Sequence, residues 1–255
     1  MTASSHAVPP APARPSDTRA RLVTAAETLF AERGIDAVSL REVTRASGAR
    51  NAIAVQYHFS DRAGVVQAIL DKHSPNVEAR RNAMLDDYEA RSGESEGANE
   101  RPANGDLRLL AAAFVRPLAA QLGNPNGGPE YLQIYADLIN RPRPEWAIAA
   151  PDDQLTNSVQ RWRKLLDPLL EPDATRLHRR FTAMLHASVE LGRRARSGPH
   201  TDDRLFVSYL IDVVTAILAA PVSAETRRLA DERDQALGGP SKSVKLVKVA
   251  SRAGR

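Results

Sequence analysis

The chain has no cysteine, which excludes disulfides, thiol nucleophiles and zinc–thiolate sites and fits a reducing compartment. Aromatic residues make up only 5% of its 255 residues. The composition leans on Ala, Leu, Arg, Glu and Asp rather than on the β-branched and aromatic residues that strands favour. No apolar run is long enough to span a bilayer. Residues 1–16, rich in Pro, Ala and Ser, lack the apolar centre of a signal peptide. The expectation is a soluble, cytoplasmic protein with no membrane partner. The sequence also has no phosphate-cradling Gly-Lys-Ser/Thr loop and no Gly-x-Ser-x-Gly elbow.

Hydrophobic residues reach 42%, enough for a sizeable core, and charged residues reach 26%. The net charge of +4 is compatible with nucleic-acid binding but decides nothing by itself. Much of the surplus sits in the last stretch, where Lys242, Lys245, Lys248, Arg252 and Arg255 meet no acid.

Composition predicts a disordered arm over 1–16 and a disordered basic tail over 238–255. Three breaks lie between them: a polar loop over 91–105, a turn-rich connection over 123–129, and the Arg-Pro repeat at 141–144. Elsewhere the apolar period is helical, and the fold class is all-α. The spacing predicts helices over 19–33, 40–47, 51–59, 61–72, 75–90, 106–122, 129–140, 152–170, 174–196 and 202–220, with a weaker one over 224–237. In the first, Leu22, Ala26, Leu29 and Phe30 share a face and Gly34 is a stop. The Arg116-Pro117 pair should kink or break the helix that contains it.

The stretch 39–62 carries the function. Ser39 and Glu42 have the spacing of a capping box, so a helix starts there. Leu40, Val43 and Ala46 supply an apolar face that can pack on the first helix. Ser47-Gly48-Ala49 is a tight turn, because glycine tolerates the left-handed conformation. A second short helix follows, with Ile53 and Val55 among small residues and Arg50, Asn51 and Gln56 as its polar members. Two short helices joined by a glycine turn and braced by a third make a helix-turn-helix. Its slim residues Ala52 and Ala54 let the backbone approach base edges in a major groove.

The order Leu29 to Gly34, Ser39 to Gly48, then Tyr57-His58-Phe59 with Arg62 resembles the TetR family of one-component transcriptional regulators. The likeness spans roughly residues 19–70. It implies an N-terminal helix-turn-helix DNA-binding domain over 17–62, with a connecting helix to about 72. A helical-bundle domain over 63–237 would then bind a ligand and dimerise. By the resemblance, Tyr57 and Arg62 match positions that hold the DNA backbone, while His58 and Phe59 lock the recognition helix to the next. Arg62 stands where lysine is usual and keeps the charge. Gln56 stands where many members have tyrosine, and the segment from Gly48 to Phe59 is one residue longer than the commonest spacing. The candidate DNA-binding residues are therefore Ser39, Arg41, Arg50, Asn51, Gln56, Tyr57 and Arg62.

The candidate ligand pocket gathers Phe114, Arg116, Leu118, Tyr131, Tyr135, Trp146 and Trp162; a plain helical core is the alternative reading of the same residues. Arg116 could meet an anionic ligand or simply reach solvent. The resemblance implies a four-helix homodimer interface, for which the candidates are Phe181, Leu185, Leu205, Phe206, Tyr209, Leu210, Val213 and Ile217. His178 and His186, eight apart on one predicted helix, read as structural imidazoles. The pairs Asp152-Asp153 and Asp202-Asp203 read as helix starters, and Asp86-Asp87 as solvated charge. No metal or cofactor is expected and no enzyme activity. The expected partners are double-stranded operator DNA, a second copy of the chain and an unidentified small-molecule effector. The expected function is repression relieved by a mainly hydrophobic ligand. Two alternatives stay open: an effector-independent architectural DNA-binding protein, and an all-helical enzyme or scaffold.

Overall fold

The computed structural model describes residues 15–49, 54–93, 104–141 and 157–237. Among them every regular element is a helix. An N-terminal unit contains α1 (Pro15–Arg33), α2 (Leu40–Ala46) and α3 (Ala54–Phe59), and α4 (Arg62–Gly93) runs from it into a larger unit. That unit holds α5 (Asn104–Ala119), a 3₁₀ turn over Ala120–Gly123, α6 (Gly128–Ile139) and α7 (Asn157–Leu166). A second 3₁₀ turn over Asp167–Leu169 leads to the short α8 (Pro172–Arg176), then α9 (Arg179–Arg196), α10 (Arg204–Ala219) and α11 (Ala224–Ala236). No single helix among the described residues is long and apolar enough to cross a membrane.

Helical period explains which faces are inside. On α1, Leu22, Val23, Ala26 and Phe30 are buried and close over Val38 and Val43 around α2, Val55 and Phe59 on α3, and Val65, Val66 and Ile69 on α4. α5 is the central helix of the larger unit. It packs on α4, α7 and α10, and Leu110, Ala111, Phe114, Val115 and Leu118 are all at most 1% exposed. Trp162 of α7 fills the space beside it: its ring lies 5.1 Å from that of Phe114, and its indole N–H donates to the Leu110 carbonyl at 2.7 Å. α9 packs mainly on α6, and also on α10.

The helix boundaries depart from the sequence reading at three places. α4 runs unbroken through Pro75, joining the two helices expected over 61–72 and 75–90. A proline there removes one backbone bond, but His73 and Val77 are buried on either side of it, and their packing holds the helix together. α5 likewise continues past Pro117, then tightens into its 3₁₀ turn. The helix expected over 174–196 is instead two, because His178 adopts φ 56° and caps α9. His178 and His186 therefore do not share a helix face. Smaller shifts put the ends of the loop expected at 91–105 inside α4 and α5, and start α1 at Pro15, inside the expected arm.

Candidate nucleic-acid interface

Three donors converge on the carboxylate of Glu42. The Ser39 backbone N–H and hydroxyl both donate to Oε2 at 2.8 Å, and Arg33 from the end of α1 donates to Oε1 at 2.8 Å. The Ser39 hydroxyl in turn accepts from the Glu42 N–H at 3.3 Å, which completes the capping box. The Ser39 backbone N–H, then its hydroxyl, then Arg33 hold the Glu42 carboxyl down at about 2 from an ordinary 4.5. This one side chain starts α2 and ties it to α1. Ser39, a candidate DNA contact, has its hydroxyl engaged in the cap.

The inward face of α2 is Val43, Thr44 and Ser47, while Ala46 is exposed, because positions 40, 43, 44 and 47 are the ones that share a side. The Ser47 hydroxyl donates to the Thr44 carbonyl at 2.8 Å and accepts from the Ala49 N–H at 3.3 Å. Gly48 then takes φ 68°, a backbone state that costs a glycine little. On α3, Val55 and Phe59 point inward at 1% and 7% exposure, while Tyr57 stands 82% exposed. The half-buried His58 meets Tyr57 edge-on at 5.1 Å, and the Arg19 guanidinium covers the Phe59 ring at 5.1 Å. Arg41 and Arg45 are exposed on α2. The outward side of this unit thus carries two guanidinium groups and a phenol. Arg50 and Asn51 lie outside the described residues, and only the backbone of Gln56 is described.

Arg62 is anchored to the chain around it. Its Nη2 donates to the Val38 carbonyl at 3.0 Å, its Nη1 lies 3.8 Å from Asp36, and its Nε is buried without an acceptor. Asp36 also receives Arg141 from the end of α6 at 2.9 Å. Arg62 therefore holds the loop between α1 and α2 in place, beside a cavity of about 270 Å³ lined by both units.

In the larger unit the structure brings Phe114, Leu118, Tyr131, Tyr135 and Trp162 into one packed region, whereas Trp146 lies outside the described residues. Arg116 does not join them. Its side chain is exposed in a groove with Asp203, Arg204 and Val207. Arg81 of α4 is the cation buried beside Phe114, only 2% exposed. Its guanidinium lies 5.2 Å from the Phe114 centroid, and its Nη1 donates to Ser158 at 2.9 Å and to Glu78 at 3.2 Å. Its Nε has no acceptor, and burial pushes its ionisation down. Burial pushes the Tyr131 and Tyr135 hydroxyls up. Arg81 was missed, although it stands on the apolar stripe of Val77, Leu85 and Tyr88. A charge on such a stripe is the signal that marks a buried polar group.

Among the interface candidates, Leu205, Tyr209 and Phe181 are 83%, 66% and 48% exposed, and Leu185 and Val213 are half-buried. Leu210 is the correction: at 3% exposure it faces its own core with Ile211, Val214 and Leu218. Phe206 and Ile217 are half-buried against the same core. Asp202 binds Arg204 and Asp203 binds Arg194, so their carboxylates serve ion pairs at the start of α10. Asp86, read as solvated, is paired with Arg161.

The cap makes a sharp test. The depressed Glu42 carboxyl contributes stability that is fully present above pH 4.5 and is lost as the pH falls toward 2. Ser39→Ala should cost about 1 kcal/mol in chemical denaturation at neutral pH. In an NMR titration the same change should move Glu42 back toward its ordinary value. An unmoved Glu42 would mean that Ser39 does not hold it.

Residues 22–69 match the model of the bacterial regulatory proteins of the tetR family. No curated protein matches the chain. One solved structure, from Mesorhizobium loti MAFF303099 and named for the TetR family of transcriptional regulators, is 16% identical over 82% of this chain and 98% of its own. Its TM-score is 0.31. The family model falls on the helices whose capping, turn and packing are described above. At residues 22–69 the chain therefore carries the N-terminal domain of the bacterial TetR family of regulatory proteins.

Proposed function

We propose that the chain is a homodimeric transcriptional repressor that leaves a near-palindromic operator when a small ligand binds its larger unit. The observation that carries this reading is the capped α2–Gly48–α3 unit, with Tyr57, Arg41 and Arg45 exposed on one domain that matches the tetR model. Guanidinium and phenol groups suit phosphate contacts, which fix register without reading sequence. Arg62 contributes by holding the α1–α2 loop, and Arg50, Asn51 and Gln56 remain the proposed base readers. Selection of bound sites from random duplex DNA should return a two-fold related motif. Tyr57→Phe should weaken binding to all duplexes about equally and leave the motif unchanged. A variant that binds as well as wild type would remove Tyr57 from the interface.

The dimer is assigned to α9 and α10. Phe181 near the start of α9 and, at the other end of the helix pair, Leu205 and Tyr209 of α10 are exposed apolar residues on two helices packed side by side, and a second copy related by a two-fold axis would bury them. That symmetry sets the recognition helices about one turn of DNA apart, roughly 34–36 Å. Tyr209→Arg should give monomers in sedimentation and poor operator affinity. A monomeric wild type would overturn this assignment.

The effector site is placed around Arg81, Phe114, Tyr131, Tyr135 and Trp162. The support is the unpaired Arg81 Nε in aromatic surroundings, which suits a mainly apolar ligand carrying an acceptor or anionic group. Such a ligand would act by preferring one dimer geometry, at a coupling of about 1–3 kcal/mol. Native mass spectrometry of the purified chain should show a copurifying small molecule that Arg81→Met loses while keeping its helicity. Retention of the molecule by the variant would place the effector elsewhere.

A further inference from the structure

Where the N-terminal unit meets the larger one there is a buried polar chain. Glu27 of α1 and His73 of α4 are 1% and 2% exposed, and Gln121, in the turn after α5, is 2% exposed. Each partner's role can be fixed from one end. The backbone N–H of Asn126 donates to Asn124 Oδ1 at 3.0 Å, and a backbone amide cannot do otherwise. The Asn124 amino group must then face Gln121, donating to its Oε1 at 2.9 Å. That same oxygen lies 3.2 Å from His73 Nδ1. An amide oxygen only accepts, so Nδ1 carries a proton. On the other edge of the ring, Nε2 lies 2.8 Å from Glu27 Oε1, while Glu27 Oε2 receives the Lys72 ammonium at 2.6 Å. A carboxylate beside an ammonium is ionised and accepts, so Nε2 carries a proton too.

We infer that His73 is held as the doubly protonated imidazolium and forms, with Glu27 and Gln121, a proton-dependent latch that docks α1 on the larger unit. Transfer of the Nε2 proton onto Glu27 would leave the number of protons in the pair the same. Loss of either ring proton leaves a nitrogen lone pair facing an acceptor, the Glu27 carboxylate at 2.8 Å from Nε2 or the Gln121 Oε1 at 3.2 Å from Nδ1, with these groups buried. The docked state therefore holds a proton that the undocked state can release, so docking weakens as pH rises.

The surroundings fit this use. Lys72 and Arg80, both on α4, oppose a further positive charge, and Glu27 from α1 offsets it. From α6 the Tyr131 ring stacks on the imidazole at 4.7 Å. The remaining polar neighbours, Asn76, Gln121, Asn124 and Asn126, are neutral. A groove of about 530 Å³ lined by Lys72, His73, Asn76 and Arg80 gives solvent a route to the ring. The carboxylate is seated against Gly127, where a Cβ would lie 2.6 Å from Glu27 Oε2 and where φ is 88°. Glycine is what leaves room for the latch. Its regulatory meaning rests on reading α1–α3 as the DNA-binding unit, but its chemistry does not, so the two can fail separately.

The test uses the full chain labelled with ¹⁵N-histidine, with His73 assigned through its contact to the Tyr131 ring. At neutral pH both His73 nitrogens should report as protonated. In Glu27→Gln the amide can donate to Nε2, so the ring should become neutral with one bare nitrogen. Protection of α1 amides in hydrogen exchange, corrected for intrinsic rate, should fall several-fold from neutral to alkaline buffer in wild type and stay level in the variant. A wild-type ring with one bare nitrogen would overturn the latch, and this holds even if the variant does not fold. Equal pH dependence of α1 protection in both proteins would overturn it as well.

Discussion

A carboxylate buried in the first helix constrains much of the rest. Glu27 sits on the same stripe of α1 as Val23, Ala26 and Phe30, where an unpaired charge would cost several kcal/mol. It is tolerated because Lys72 and His73 reach it from α4 and because Gly127 leaves room for it. Those partners belong to the long helix and to the connection before α6. The position of α1 is therefore set by the larger unit as well as by its own apolar face. Since α1 also braces α2, a change at this seam is felt at the outward surface of the N-terminal unit.

Glu42 and Glu27 show how burial changes what a carboxylate does. Glu42, near the surface, gathers three donors within one short stretch, so the start of α2 is specified locally. Glu27 makes its bonds to residues more than forty positions away and can form them only once the two units have packed. The first kind of interaction gives the helix-turn-helix its shape. The second fixes how it is held.

The larger unit applies the same economy to a cation. Arg81 is set among Phe114, Ser158 and Glu78, and a row of rings leads from His73 through Tyr131 to Tyr135, with centroids 4.7 and 5.8 Å apart. The seam and the Arg81 region are thus in physical contact through packed aromatic side chains. In the proposed regulator, a ligand that reorders these rings would act directly on the element that holds α1.

The sequence by itself determined the local features. The Ser39–Glu42 cap, the turn at Gly48 and the all-helical class are set by period, capping and backbone sterics over a few residues, and all were legible. The outward Tyr57 followed from the family resemblance. Tertiary structure decided the rest. Whether Pro75 broke a helix depended on the packing around it, and whether His178 lay within one depended on how α8 meets α9. Leu210 went inward and Leu205 outward although both are apolar residues on one helix, because only the neighbours of α10 fix which side is covered. Arg62 bound Val38 and Asp36, and Arg116 turned to solvent while Arg81 did not, since the direction of a long side chain is chosen by partners distant in sequence. The seam of Glu27, His73 and Gln121 was written as three polar residues in separate segments, and only the fold brought them within hydrogen-bonding distance.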